Sequence, residues 1–183
     1  MGPLNRSSCT KLGGRWSAVA LVLLLSMALR ADQAEQGIKS GFIYNFTKYI
    51  DWPASAFDRS NTLVIGIVGK DSLGGLLEKA VEGKTTGGRR LVVRHLRWSD
   101  DLAQAYVLFV PEGEMGNAAQ LDRLKSRPVL TIGETAGFAR RHGIINFVIE
   151  SERVRFEINA DAARAAGLKI SSKLLTLGKA PGG

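Results

Sequence analysis

The sequence predicts an α/β fold: a single domain with a mostly parallel sheet, helices on both faces and a C-terminal antiparallel hairpin. Three observations carry this. Short apolar, β-branched runs recur at 62–69 (TLVIGIVG), 90–96 (RLVVRHL), 106–110 (YVLFV) and 128–132 (PVLTI). Segments with helical signals separate them, and such alternation builds parallel sheets. Two last runs, 144–150 and 154–158, are separated only by Ser151, Glu152 and Arg153. That gap is too short for a parallel crossover, so these two strands form a hairpin.

Each element has its own signal. Ile38, Phe42, Ile43, Phe46, Tyr49 and Ile50 form one apolar stripe at helical period. Trp52-Pro53 ends that helix, because the residue before proline avoids the α region. Residues 54–61 read as a turn and loop. The continuous apolar run 62–69 is a buried strand. A helix follows at about 73–82, then a glycine-rich loop at 83–88 and the second strand. Residues 100–104 form a short helix or turn. The third strand stops at Pro111. Residues 117–126 are helical, with Leu121 and Leu124 as core contacts. The fourth strand starts on Pro128, where a ladder tolerates proline. In the hairpin's second arm Val154, Phe156 and Ile158 point one way and Arg155, Glu157 and Asn159 the other. Residues 160–166 form a helix ended by Gly167 as its C′ glycine. Ser171 or Ser172 caps a last helix containing Leu174, Leu175 and Leu177. No internal repeat or second domain is apparent.

Ahead of this domain, residues 1–31 read as a secretory signal peptide. Arg6, Lys11 and Arg15 form a positive n-region with no acid. Residues 16–29 are apolar apart from Ser17 and Ser26, and Leu29-Arg30-Ala31 offers a cleavage site. The apolar run is shorter than the roughly 20 residues that cross a bilayer. The expected organisation is signal peptide 1–31, polar lead-in 32–36, α/β domain 37–179 and flexible tail 180–183. The mature protein is expected outside the cytoplasm, cleaved after about Ala31, with an uncleaved anchor as the competing reading.

Cleavage changes the chemistry left in the chain. It leaves 152 of 183 residues, enough for one domain with a real core. Four basic residues and no acid lie in 1–31, so the formal charge falls from +8 to +4. The sole cysteine, Cys9, goes too, leaving no disulfide, thiolate nucleophile or cysteine-bound metal. Export also argues against nucleic acid, ATP or NAD as partners.

Gly69-Lys70-Asp71 follows a strand and invites a phosphate-loop reading, but Val64 stands where the first glycine belongs and Asp71 replaces the hydroxyl residue. The loop reads instead as a strand-to-helix turn capped by Asp71 or Ser72. His95 and His142 lack a G-x-S-x-G elbow and give no zinc-ligand spacing. Glu78, Glu82 and Glu157 form no obvious acid pair. The sequon at Asn45 lies inside the first helix. Arg89-Arg90, Arg94, Arg97 and Arg140-Arg141 read as a solvated basic face or as contacts to head groups or an acidic partner. No catalytic, cofactor-binding or metal-ligating residue is assigned, and no cofactor is expected.

Residues 42–57 (FIYNFTKYIDWPASAF) and 155–179 (RFEINADAARAAGLKISSKLLTLGK) resemble the opening helix and closing signature of the YfiR-like periplasmic proteins. The strand–helix–strand unit from Thr62 and the later strands from Pro128 are similar to that family as well. The resemblance covers about 37–179. It implies a compact α/β domain that is not an enzyme. It further implies repression of an inner-membrane diguanylate cyclase through the cyclase's periplasmic sensory part, with lower cyclic-di-GMP and biofilm formation. A peptidoglycan-associated outer-membrane lipoprotein sequesters the best-known members, and others are sensory modules beside histidine kinases. Tyr106 stands where many relatives carry cysteine, and Arg141-His142-Gly143 replaces a usual double glycine.

The favoured reading is a regulator that binds one state of a membrane sensor better than the other. An exposed apolar patch is the expected contact. Candidates are Trp52, Pro53 and Phe57 after the first helix, with Phe138, Arg140 and Arg141. The alternative for Trp52 and Phe57 is a role as core caps. Arg155, Glu157 and Asn159 are read as a structural polar face that organises the hairpin. The rival function is a periplasmic small-molecule sensor acting with a histidine kinase or outer-membrane receptor, with its pocket at the carboxyl ends of the parallel strands. An exported hydrolase is the third reading, disfavoured by the missing motifs. Oligomeric state is left open, a homodimer included.

Overall fold

The structure is a computed structural model that describes residues 13–57, 61–73, 75–114 and 117–182, without the side chains of 13–29 and 118. Most of the expected n-region, with Arg6, Cys9 and Lys11, lies outside the described residues. The chain divides into two compact units, Met1–Glu35 and Gln36–Gly183. The first is helical from residue 13 onward, within the helix α1 (Gly13–Tyr49). Among the described residues no helix is long and apolar enough to cross a membrane.

The second unit is built on a seven-stranded sheet. Its long central strand β2 (Thr62–Val68) lies parallel to β4 (Arg89–Leu96) on one side and to β5 (Val107–Val110) on the other. Beyond β5 come β6 (Leu130–Gly133) and β7 (Ile145–Glu150), both parallel, then β8 (Arg153–Ile158), antiparallel to β7. The parallel strands are buried on both faces, hence their continuous apolar runs. Ser151 and Glu152 turn the β7–β8 hairpin with φ of 47° and 61°.

Helices cover both faces. On one, Ile43 and Phe46 of α1 pack on Ile65, Phe109, Ile132 and Phe147. Leu77 of α2 (Leu76–Val81), Ala163 of α5 (Ala160–Ala165) and Leu174 of α6 (Ser172–Leu177) complete that core. On the other face Val64, Val68, Leu108 and Val110 meet Leu121 of α3 (Ala118–Asp122), Leu124 just after it and Phe138 of α4 (Phe138–Arg141). The alternation of Val64 with Ile65, and of Leu108 with Phe109, sends neighbours to opposite faces. Phe42 and Phe46 stack at 6.0 Å, and Phe46 meets the Phe156 edge at 5.0 Å. Ile38, at the start of the predicted stripe, stays half-exposed.

Four local features differ from the sequence reading. The glycine-rich loop contains β3 (Thr85–Thr86), which folds back on β4 through Gly87-Gly88. Both glycines have positive φ, the turn that tight hairpins favour. Ile50–Asp51 forms β1, antiparallel to β9 (Lys169–Ile170), so the segment after α1 is tied to the closing signature. The helix expected at 117–126 is shorter, and its last residues continue as turns that still bury Leu124. Helix α4 was not predicted, because four residues are too few to show a helical period.

Candidate functional site

Parallel sheets of this order offer a crevice outside the carboxyl ends of the strands, where strand order reverses. Here that point lies between β2 and β5. The chain's own carboxylates occupy it. Glu114, four residues past β5, accepts from the backbone N–H of Lys70 at 3.0 Å and the indole N–H of Trp98 at 3.0 Å. These two hydrogen bonds, the backbone one foremost, hold its carboxyl below the ordinary range. Gly69, with φ of 76°, lies so close to the Glu114 carboxylate that a Cβ there would overlap it. One strand further, Glu134 pairs with Lys39 at 2.6 Å, both side chains being about nine-tenths buried. It also accepts from Ser72 Oγ at 3.1 Å and from the Glu112 N–H at 2.9 Å. Asn146 is fully buried. With its amide nitrogen facing the Gly133 and Thr135 carbonyls it donates to both at 3.1 Å. Asp71 caps the turn after β2, accepting from Leu73 N at 2.7 Å and Gly75 N at 3.0 Å. This is the strand-to-helix turn that the sequence favoured over a phosphate loop.

The opposite end of the sheet is different. Trp52 and Pro53, following β1, and Phe57, just after a single 3₁₀ turn at Ala54–Ala56, are half-buried. Trp52 and Phe57 gather around Tyr106, the residue immediately before β5. Phe57 stacks on Tyr106 at 5.1 Å, and Trp52 meets it edge-on at 6.5 Å. Arg89, the first residue of β4, lies over the Phe57 ring at 3.6 Å, a cation–π arrangement. Trp52 Nε1 and Arg89 Nε are both out of water without a hydrogen-bond partner among the described residues. Beside the cluster is a hollow of about 370 Å³ lined by Ala56, Arg94, Gln104 and Tyr106 among others. The sequence singled out Trp52, Pro53 and Phe57. It did not connect them to Arg89 or Tyr106, which join them only through the strand order.

The other predicted contacts separate. Phe138 is fully buried, so it is a core residue and not part of an exposed patch. Its ring lies against Gly133 and Gly143, where a Cβ would overlap it. That crowding, with φ negative at Gly143, explains glycine there. His142 before it takes φ of −132°, which a side chain tolerates, so the departure from a double glycine is accommodated. Arg140 and Arg141 are exposed, and Arg141 donates to the Ala136 carbonyl at 2.8 Å. Both line a cavity of about 160 Å³ with Leu121, Leu124, Ile144 and Ala166 on its apolar side and Lys125 and His142 on its rim. His142 Nδ1 is buried and 3.7 Å from Asp122, too far for a hydrogen bond. Nothing in the sequence announced this cavity, whose walls come from α3, α4, α5 and β6.

On the polar face, Asn159 caps α5, accepting from Ala162 N at 2.9 Å, and donates to the Ala139 carbonyl at 2.8 Å. Glu157 accepts from Gly182 N at 3.0 Å, and Lys179 bridges alongside it. Arg155 is exposed opposite Val148.

No curated protein matches the chain. The profile of one family, described as YfiR/HmsC-like, matches residues 36–179. That range coincides with the second compact unit apart from its last four residues. It includes the aromatic cluster, the carboxylate-filled crevice and the closing hairpin. The chain therefore belongs to the YfiR/HmsC-like family.

Proposed function

We propose that this protein is a non-enzymatic periplasmic regulator, exported by residues 1–31, that binds the periplasmic part of an inner-membrane diguanylate cyclase and represses it. Membership of the YfiR/HmsC-like family supports the regulatory role. The observation that carries the mode of action is the cluster of Trp52, Phe57, Tyr106 and Arg89 at the amino end of the sheet. Trp, Tyr and Arg are the side chains that dominate binding energy at protein interfaces. Arg89, Arg90 and Arg94 give this end a positive rim, so the contact on the cyclase is acidic. A carboxylate from the partner would satisfy the Trp52 and Arg89 N–H groups once these side chains turn outward. Repression follows if the cluster fits only the inactive state of the cyclase, since only differential affinity shifts an equilibrium. Sequestration by a peptidoglycan-associated outer-membrane lipoprotein would then compete for the free regulator.

The test is co-purification with the periplasmic part of the cyclase, together with cellular cyclic-di-GMP. The wild-type protein forms the complex and lowers cyclic-di-GMP. Arg89→Glu weakens the complex and raises cyclic-di-GMP while the protein remains folded. Retention of repression by Arg89→Glu contradicts the reading.

The cavity behind Arg140 and Arg141 favours a second reading, a sensor for a small amphipathic anion acting with a histidine kinase or an outer-membrane receptor. Its apolar wall and cationic rim suit an apolar body bearing a carboxylate. If such a compound raises thermal stability and no cyclase is recovered, the repressor reading fails in favour of this one.

A further inference from the structure

Asp71, Glu78 and His95 belong to three separate parts of the chain: the turn after β2, helix α2 and strand β4. The fold brings them together. One potential ligand atom from each lies within 4.8 Å of the other two. His95 Nε2 and Glu78 Oε1 are 2.8 Å apart. Glu78 Oε2 is out of water and has no hydrogen-bond partner among the described residues, so one carboxylate oxygen is left with unused acceptor capacity. The Asp71 carboxylate is fixed in direction by the N–H groups of Leu73 and Gly75, each of which uses only one lone pair of an oxygen.

We propose that these three residues form a site for a borderline divalent transition metal, with zinc as its representative. The donor set decides the class. One imidazole nitrogen and two carboxylates suit zinc and its first-row neighbours, whereas calcium and magnesium take all-oxygen shells. Zinc with nitrogen and oxygen ligands at about 2.0–2.2 Å would draw the three ligand atoms to about 3.4 Å from one another. The His95 and Glu78 side chains are 52 % and 39 % exposed, so they are free to make that small adjustment. Water completes the shell on the open side. The bound ion ties the turn after β2 to α2 and β4, immediately beside the Ser72–Glu134 bond that closes the carboxyl end.

The chain has two histidines, which makes the test clean. Untagged, chelator-treated protein is titrated with zinc chloride in a calorimeter in the presence of excess magnesium. One equivalent binds per chain. His95→Ala and Glu78→Gln each weaken it by roughly tenfold or more, and His142→Ala leaves it unchanged. In the wild-type protein, substoichiometric nickel broadens the His95 ring resonances and spares those of His142, a readout that needs no variant. Absence of binding up to millimolar zinc, binding unaffected by His95→Ala, or preferential broadening of His142 overturns the proposal.

Discussion

The crevice at the carboxyl ends of β2 and β5 and the aromatic cluster at the amino end treat their polar groups in opposite ways. At the carboxyl end, Glu114 and Glu134 take up the N–H groups of Lys70, Trp98 and Glu112 and the Lys39 ammonium. At the amino end, aromatic rings surround N–H groups of Trp52 and Arg89 that have no partner among the described residues. Buried polar groups are normally paired, so an unpaired set is a pointer to function while a paired set is a pointer to stability. The crevice between β2 and β5, where an α/β sheet usually holds a ligand, is here closed by the protein itself, although Glu78 Oε2 and Thr135 Oγ1 elsewhere near the carboxyl end have no partner among the described residues. The open N–H groups of Trp52 and Arg89 lie at the other end, on the surface proposed above as the partner contact.

This contrast predicts that carboxyl-end substitutions change stability and amino-end substitutions change binding. The largest effect is expected for Glu134→Ala. It removes a carboxylate partner of Lys39 and the acceptor for Ser72 and Glu112, costing about 3 kcal/mol of unfolding free energy as for other broken buried pairs. Denaturant unfolding measures it, and cyclase affinity of the folded fraction stays as in wild type. Next comes the amino end. Phe57→Ala and Arg89→Glu each weaken the complex by about 2 kcal/mol, roughly thirtyfold, read by calorimetry. Their unfolding midpoints stay close to wild type because both side chains are only half-buried. If Glu134→Ala proves the stronger binding defect, the contrast collapses.

Two smaller effects sharpen it. Asn159→Ala removes the α5 cap and the bond to Ala139, with an expected loss of about 1 kcal/mol and no change in binding. Glu114→Gln probes the crevice through pH. The folded Glu114 carboxyl titrates below its ordinary 4.5, held there by Lys70 and Trp98. A lowered folded value gives stability that is fully present above 4.5 and is lost as pH falls through the folded value. Glu114→Gln therefore shows a shallower loss of stability between pH 5 and pH 3, a window set around the ordinary carboxylate range. An unchanged acid limb would mean that the carboxylate does not hold the crevice.

Much of this architecture was legible in the sequence. The strands at 62–69, 90–96 and 106–110 and the hairpin arms at 144–150 and 154–158 announced themselves because buried parallel strands need unbroken apolar runs and a three-residue link allows only a hairpin. Gly167, with φ of 74°, and Ser171, whose side chain accepts from Leu174 N, end and begin helices as their residue types require. Trp52 and Phe57 stood out as large rings after a helix. What stayed hidden depends on strand order. Arg89 and Tyr106 join those rings only because β4 and β5 flank β2, and Asp71, Glu78 and His95 meet for the same reason. Phe138 misled because its neighbours Arg140 and Arg141 are exposed, whereas Gly133 and Gly143 leave room to bury the ring beneath them. Two-residue elements such as β1, β3 and β9 carry no period to read.

The most direct test compares the two ends in living cells. A photo-crosslinking amino acid is placed at Phe57 in one strain and at exposed Glu112, beside the closed crevice, in another. The account predicts that illumination joins the Phe57 position, and not the Glu112 position, to an inner-membrane diguanylate cyclase. Crosslinking from Glu112 with none from Phe57 would contradict it.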